Sequence, residues 1–228
     1  MKKLLVTVCA AAAFAFNANA GGEANSRSSS VAPFDNFYAV VSGGYSKSMN
    51  LKGDFGKEDM GNSAIIGLGV KTDICENMKA GLNFEYRPSY KVKATKTEGS
   101  DTLINKDKYE ISNLMLTGSY DITALDTFFT PYVEVGVGAA RVKSPKGSVT
   151  IVGGSSGQTS NKTKTNFAYN AGLGAKFKIA DNMNFGLGYK YSNFGKFENK
   201  ATISSTKFNI NAKRLHSNDF LASLEYKF

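Results

Sequence analysis

Apolar and polar residues alternate one for one over most of this chain. That is the period of a β-strand with two unlike faces, not of a helix. The last ten residues show it most clearly. Phe220, Ala222, Leu224, Tyr226 and Phe228 share one face, and Asp219, Ser223, Glu225 and Lys227 share the other, with Leu221 the one exception. The same rhythm predicts seven earlier strands, at about 37–46, 63–72, 78–90, 109–120, 131–142, 165–177 and 183–191. The third sets Ala80, Leu82, Phe84 and Tyr86 against Lys79, Gly81, Asn83, Glu85 and Arg87. The fifth sets Val133, Val135, Val137 and Ala139 against Tyr132, Glu134, Gly136 and Gly138.

The connections between these strands alternate long and short. Residues 47–62, 91–107, 143–164 and 192–218 read as long polar loops, although Val92 to Thr97 alternates enough to extend its strand beyond the membrane, and 73–77, 121–130 and 178–182 read as short turns. Soluble sandwiches mix turn lengths at both ends, whereas transmembrane barrels have short periplasmic turns and long outer loops. Each strand is also long enough to cross a bilayer at a tilt. The fold class is therefore all-β: an eight-stranded antiparallel transmembrane β-barrel with four long outer loops. Closure follows from the solvent, because every backbone polar group in hydrocarbon must be paired within the protein.

The polar faces then point into a narrow bore, where an unpaired charge is very costly. Lys71, Lys79, Glu85, Arg87, Glu134, Lys176, Lys190, Glu225 and Lys227 are the predicted inward charges, and opposite signs must meet among them. Recurrent glycines such as Gly136, Gly138, Gly186 and Gly188 leave room for larger inward neighbours. Tyr38, Tyr45, Tyr86, Tyr90, Tyr120, Tyr132, Tyr189, Tyr191 and Tyr226 lie toward strand ends. Such rings suit the headgroup level, where one end is apolar and the other wet.

The N-terminus reads as an export signal. Lys2 and Lys3 precede an apolar run from Leu4 to Phe16, and Ala18-Asn19-Ala20 places cleavage between Ala20 and Gly21. The predicted layout is a signal peptide over 1–20, a flexible periplasmic leader over 21–36 and the barrel over 37–228. Loss of the signal leaves Cys75 as a lone thiol and lowers the net charge from +9 to +7. A basic exported chain meets anionic lipid, polysaccharide or acidic host surfaces rather than nucleic acid.

Three stretches carry a family resemblance: Asn161 to Tyr169 (NKTKTNFAY), Tyr189 to Lys196 (YKYSNFGK) and Val135 to Ala140 (VGVGAA). With them, the mature chain resembles the small outer-membrane proteins of the opacity and OmpX type, and within these the rickettsial surface adhesins. The resemblance implies a place in the outer membrane of a Gram-negative bacterium, with the loops exposed at the cell surface. It also implies binding of host surface or serum proteins, vitronectin among them, through those loops. The closing strand resembles those whose terminal aromatic is read by the barrel-insertion machinery, which makes Leu224, Tyr226 and Phe228 the candidate insertion signal.

The candidate docking residues are the loop bases Lys143, Lys146, Lys162, Lys164, Lys196, Lys200, Lys207, Lys213 and Arg214. Their charge suits an acidic host protein, a glycosaminoglycan or the phosphates of lipopolysaccharide. The expectation is a monomeric adhesin without cofactor or metal. A structural, envelope-stabilising barrel is the main alternative, followed by a lipid-modifying enzyme or a narrow pore. The enzyme reading rests on His216, Ser217 and Asp219, but neighbours on a strand point to opposite faces. The run Gly153 to Gly157 lacks the lysine and helix of a phosphate loop.

Overall fold

Eight long strands form the wall of the protein in a computed structural model. They are β1 (Phe37–Ser48), β2 (Asn62–Cys75), β3 (Met78–Glu98), β4 (Asp101–Asp121), β5 (Thr130–Ser144), β6 (Lys162–Ala180), β7 (Met183–Ile203) and β8 (Thr206–Lys227). The structure describes residues 36–49, 51–53, 56–58, 61–98, 101–123, 128–145, 148–152, 156–159, 161–203 and 206–228. The predicted signal peptide, its cleavage site at Ala20 and Gly21, and almost all of the leader lie outside them.

Every strand pairs antiparallel with its sequence neighbours, and β1 pairs with β8 through a continuous register from Tyr38 opposite Lys227 to Ser48 opposite Ser217. The sheet thus closes on itself and leaves no bare edge within the wall. The turns at 76–77 and 181–182 are tight and lie at the same end as Phe37 and Phe228. That end is periplasmic by the rule that short turns face inward. At the 181–182 turn Lys178 pairs with Asp181 at 2.9 Å, and its ammonium holds the Asp181 carboxyl below the usual range.

The alternation sorts the side chains as expected. Val41, Ile66, Leu68, Leu82, Leu114, Leu116, Val133, Val135, Val137, Phe167, Leu173, Leu187, Phe220 and Leu224 are all exposed on the outside of the wall. A soluble protein does not present so large an apolar surface; here it faces acyl chains. On β8 the apolar row runs from Phe220 to Phe228, roughly 27 Å along the strand. Tilt reduces this to about 20 Å of height, close to the apolar band of such barrels.

The long loops depart from expectation. The strand extension expected at Val92 to Thr97 is present, but the rest of 91–107 and most of 192–218 are also paired strand rather than loop, because β3 with β4 and β7 with β8 run on as hairpins beyond the membrane. Above the lipid nothing demands an apolar face, so the alternation fades while the backbone pairing continues. A short hairpin pairs Leu51–Gly53 with Gly56–Glu58 in the first outer connection. In the third, Ser148–Val152 pairs with β4 at Thr102 to Lys106, and Ser156–Thr159 reaches β7 at Ala201 and Thr202. The third connection therefore stitches the two tall hairpins together.

Close approach requires several of the wall glycines, Gly81, Gly138 and Gly174 among them, and Gly44 most tightly. A Cβ on Gly44 of β1 would meet the Phe220 carbonyl of β8, across the seam that closes the wall. Gly44→Ala is expected to destabilise the barrel by about 1–3 kcal/mol through overpacking. Gly43→Ala, whose Cβ would meet only the Ile65 carbonyl at 3.8 Å, is the control. Equal urea midpoints for the two variants in lipid vesicles would show that the seam is not tight.

Candidate functional site

The bore is filled in three layers. Nearest the periplasm, Asp73 accepts hydrogen bonds from Tyr38 Oη at 3.0 Å and Asn36 Nδ2 at 2.7 Å. Lys79 lies over the Tyr38 ring at 3.8 Å and pairs with Glu225 at 2.9 Å. Lys176 pairs with Asp121 at 2.6 Å, and Lys71 with Glu134 at 2.7 Å. A small cavity between these pairs is lined by Lys71, Tyr132, Lys176, Asn184 and Glu225.

The middle layer is a fully enclosed ion cluster. Arg87 pairs with Glu85 at 3.0 Å and with Asp219 at 2.6 Å, and neither Arg87 nor its two acids have any exposed side-chain surface. Lys190 pairs with Glu85 from the opposite wall. Asn113 accepts from Arg87 at 3.0 Å and donates to Glu85 at 3.2 Å. Asp219 also accepts from Ser192 and Ser217, each at 2.8 Å, and from Ser46. Nearly every donor and acceptor of the cluster is thus engaged, the condition on which buried charge is tolerated.

The outer layer is apolar. Tyr90, Tyr109, Ile111, Met115, Ala140, Val142, Ala168, Phe194 and Leu215 form one buried cluster. Phe194 joins it to the ions below, since the Arg87 guanidinium lies 4.8 Å from its ring. Two β-bulges enter this layer, between Arg87 and Tyr90 and between Asn193 and Lys196. The second contains Gly195 at φ 79°, a left-handed conformation that favours glycine. The bulges shift the register of the tall hairpins just where the wall leaves the lipid.

The predicted inward charges Lys79, Glu85, Arg87, Glu134, Lys176, Lys190 and Glu225 all take part in these pairs. Lys227 is half-buried on the same face, with no ion pair among the described residues. Asp73, Asp121 and Asp219 are essential partners that the strand-by-strand reading left out. The first two look like turn residues, and the third lies at the edge of the predicted closing strand. Three tyrosines also depart from expectation: Tyr38, Tyr90 and Tyr132 face the bore rather than the headgroups. Tyr45, Tyr120, Tyr189 and Tyr226 are exposed on the outside.

His216 and Asp219 part company. Ser217 and Asp219 face inward and share a hydrogen bond, while His216 lies on the outer side against the Tyr191 ring, at 6.1 Å between centroids. Leu224, Tyr226 and Phe228 line the outer face, with Tyr226 and Phe228 edge to face at 5.1 Å.

The docking candidates do not share one surface. Lys143 is half-buried on the outside of β5 and pairs with Glu110 at 3.6 Å. Lys162 and Lys164 are half-buried on β6. Lys196 and Arg214, both exposed, stand opposite each other on the β7–β8 hairpin. Lys200, Lys207 and Lys213 lie higher on that hairpin, opposite Asn209, Thr202 and Phe197, with side chains outside the described residues, as is Lys146 entirely.

A closed, lipid-faced wall around a charged bore agrees with what comparison finds. Residues 4–228 match the outer membrane protein beta-barrel domain. The chain belongs to that family. It is an outer-membrane protein of a Gram-negative bacterium. It is 35% identical over 127 residues to the "Outer membrane protein PagN" of Salmonella typhimurium, which covers 54% of this chain and 52% of that one. The match thus spans about half of PagN's length. It is 30% identical over 182 residues to the "Putative adhesin RC1281" of Rickettsia conorii, covering 78% of this chain and 71% of that one. In fold it is similar to Neisserial surface protein A, with a TM-score of 0.55 at 14% identity over 84% of this chain and 97% of that one.

Proposed function

We propose that this barrel is a surface adhesin whose outer hairpins dock host cells or host serum and surface proteins. The observation that carries the reading is the 30% identity with the Rickettsia conorii protein named as an adhesin, which this chain covers over 71% of its length. The geometry is consistent with it. Ion pairs and an apolar layer fill the bore, so transport through it is not favoured, and His216 points away from Asp219, so hydrolysis there is not favoured. What faces the outside is a pair of tall hairpins bridged by the third connection and rooted on the apolar layer. A stiff scaffold of this kind holds loops ready to bind at low entropic cost. The ligand class is an acidic host protein, of which a vitronectin-like serum protein is one form, or a glycosaminoglycan.

Replacing 146–160 and 199–210 by tight turns tests this. The wall should still fold, since loop length has little effect on stability, and adherence to host cells should fall to that of cells lacking the barrel. Undiminished adherence by the trimmed barrel would leave the envelope-stabilising role as the better reading.

A further inference from the structure

We propose that a basic strip on the outward face of β3, β4 and β5 binds the phosphate groups of the outer leaflet's own glycolipid. The strip begins where the lipid face ends. Along β5 the outward positions read Val133, Val135, Val137 and Ala139, all apolar, and then Arg141 and Lys143. Arg141 is exposed, and its strand neighbours are Ser112 and Thr165. Lys143 lies beside Glu110, and two residues further along β4 comes Lys108, also exposed.

The register then does something unusual. Lys108 stands directly opposite Lys91, and Lys106 directly opposite Lys93. Both pairs occupy positions of the same hairpin face, two steps apart along the ladder. Like charges directly opposite on neighbouring strands repel. Among the described residues no acid pairs with Lys108 or Arg141, and Glu110 is the one acid paired with the strip, through Lys143. A bound polyanion would relieve this repulsion.

Position favours a lipid phosphate as the occupant. The strip continues directly upward from the acyl-facing surface, and Arg141 and Lys108 are exposed on the flank of the barrel. Neighbouring lipids present their headgroups to that flank, whereas a host ligand meets the hairpin tips first. Successive outward positions are about 6.7 Å apart along a strand. The lower cations, Lys108 and Arg141, therefore match phosphates at the sugar–acyl boundary. Attraction of this kind is screened over about 8 Å at physiological salt, so it acts on lipids in contact with the wall.

The test uses the full chain in nanodiscs of phosphatidylcholine doped with either bisphosphorylated lipid A or its dephosphorylated form. The lipid retained after detergent washing is read by native mass spectrometry. The phosphorylated lipid should be retained and the dephosphorylated lipid lost, an arm that needs no variant. Combined Lys108→Gln, Arg141→Gln and Lys143→Gln should lower retention about tenfold, which is about 1.4 kcal/mol. Arg141→Lys with Lys143→Arg should keep it, and heat-modifiable migration on gels reports folding of each. Equal retention of both lipids, or unchanged retention by the glutamine variant, overturns the proposal. So does a glutamine variant that loses heparin binding yet keeps lipid A, which would mark a site for soluble polyanions instead.

Discussion

Arg87→Ala is expected to cost the barrel about 3–5 kcal/mol, the range for removing one partner of a buried pair. The guanidinium is the one group that bridges Glu85 to Asp219, at 3.0 and 2.6 Å, inside a layer with no exposed surface. Without it Glu85 keeps Lys190, but Asp219 is left with hydroxyl donors alone. A buried carboxylate so placed is under-compensated, and its desolvation cost is then borne by the fold. The truncation also removes the cation from the Phe194 ring and so loosens the floor of the apolar layer. Lys143→Ala is the matched control. Its pair with Glu110 lies on the outside of the wall and is partly exposed, so that change should stay within about 1 kcal/mol. Equilibrium urea unfolding in lipid vesicles measures both. A midpoint for Arg87→Ala like that of the parent would mean that the middle layer is not a closed ion cluster.

The wall itself was open to view in the sequence because lipid enforces a strict code. A residue facing acyl chains must be apolar and its neighbours face the bore, so Leu82, Phe84 and Tyr86 against Glu85 and Arg87 identify both faces at once. The same code misleads near the ends of the strands. Asp73 and Asp121 sit beside turns, where aspartate is usual for local reasons, and only the folded wall shows Asp73 meeting Tyr38 on the neighbouring strand and Asp121 meeting Lys176 two strands away. Asp219 shares the parity of Ser223 and Glu225, which was the available signal, but it lies just where the polar run before the closing strand ends.

The apolar outer layer was hidden for a different reason. Ile111, Met115, Val142 and Leu215 occupy the inward face, which the alternation marks as polar. They come from three strands, β4, β5 and β8, so no single stretch reveals them as one cluster. The bulges at Arg87–Tyr90 and Asn193–Lys196 add to the difficulty, since each shifts the parity and period two cannot be carried through them. Of the candidate site, the inward ion pairs were therefore legible by sign and face. The arrangement of the basic residues outside the lipid depended on register: which lysines stand opposite which is set by the hairpin pairing, and composition alone does not contain it.

Leu224→Lys is the second large effect. Leu224 is the middle of the five outward positions between Phe220 and Phe228 on the closing strand, and it is about half exposed on the outside of the wall. A lysine there places an ammonium near the centre of the hydrocarbon, at a cost of roughly 2–4 kcal/mol. The side chain can reach toward the headgroups and recover part of this, but from the centre of the band the distance is greatest. Asn218→Lys tests the same face at its outer end. Asn218 already hydrogen-bonds Tyr189 at 2.8 Å at the upper limit of the apolar row. There the cost should fall to about 0–1 kcal/mol for the charge itself. The contrast between the two positions matters more than either value, because it depends on depth and not on loss of packing. If unfolding from vesicles shows the two lysines to be equally costly, the apolar row on β8 does not lie across the membrane at the height assigned to it.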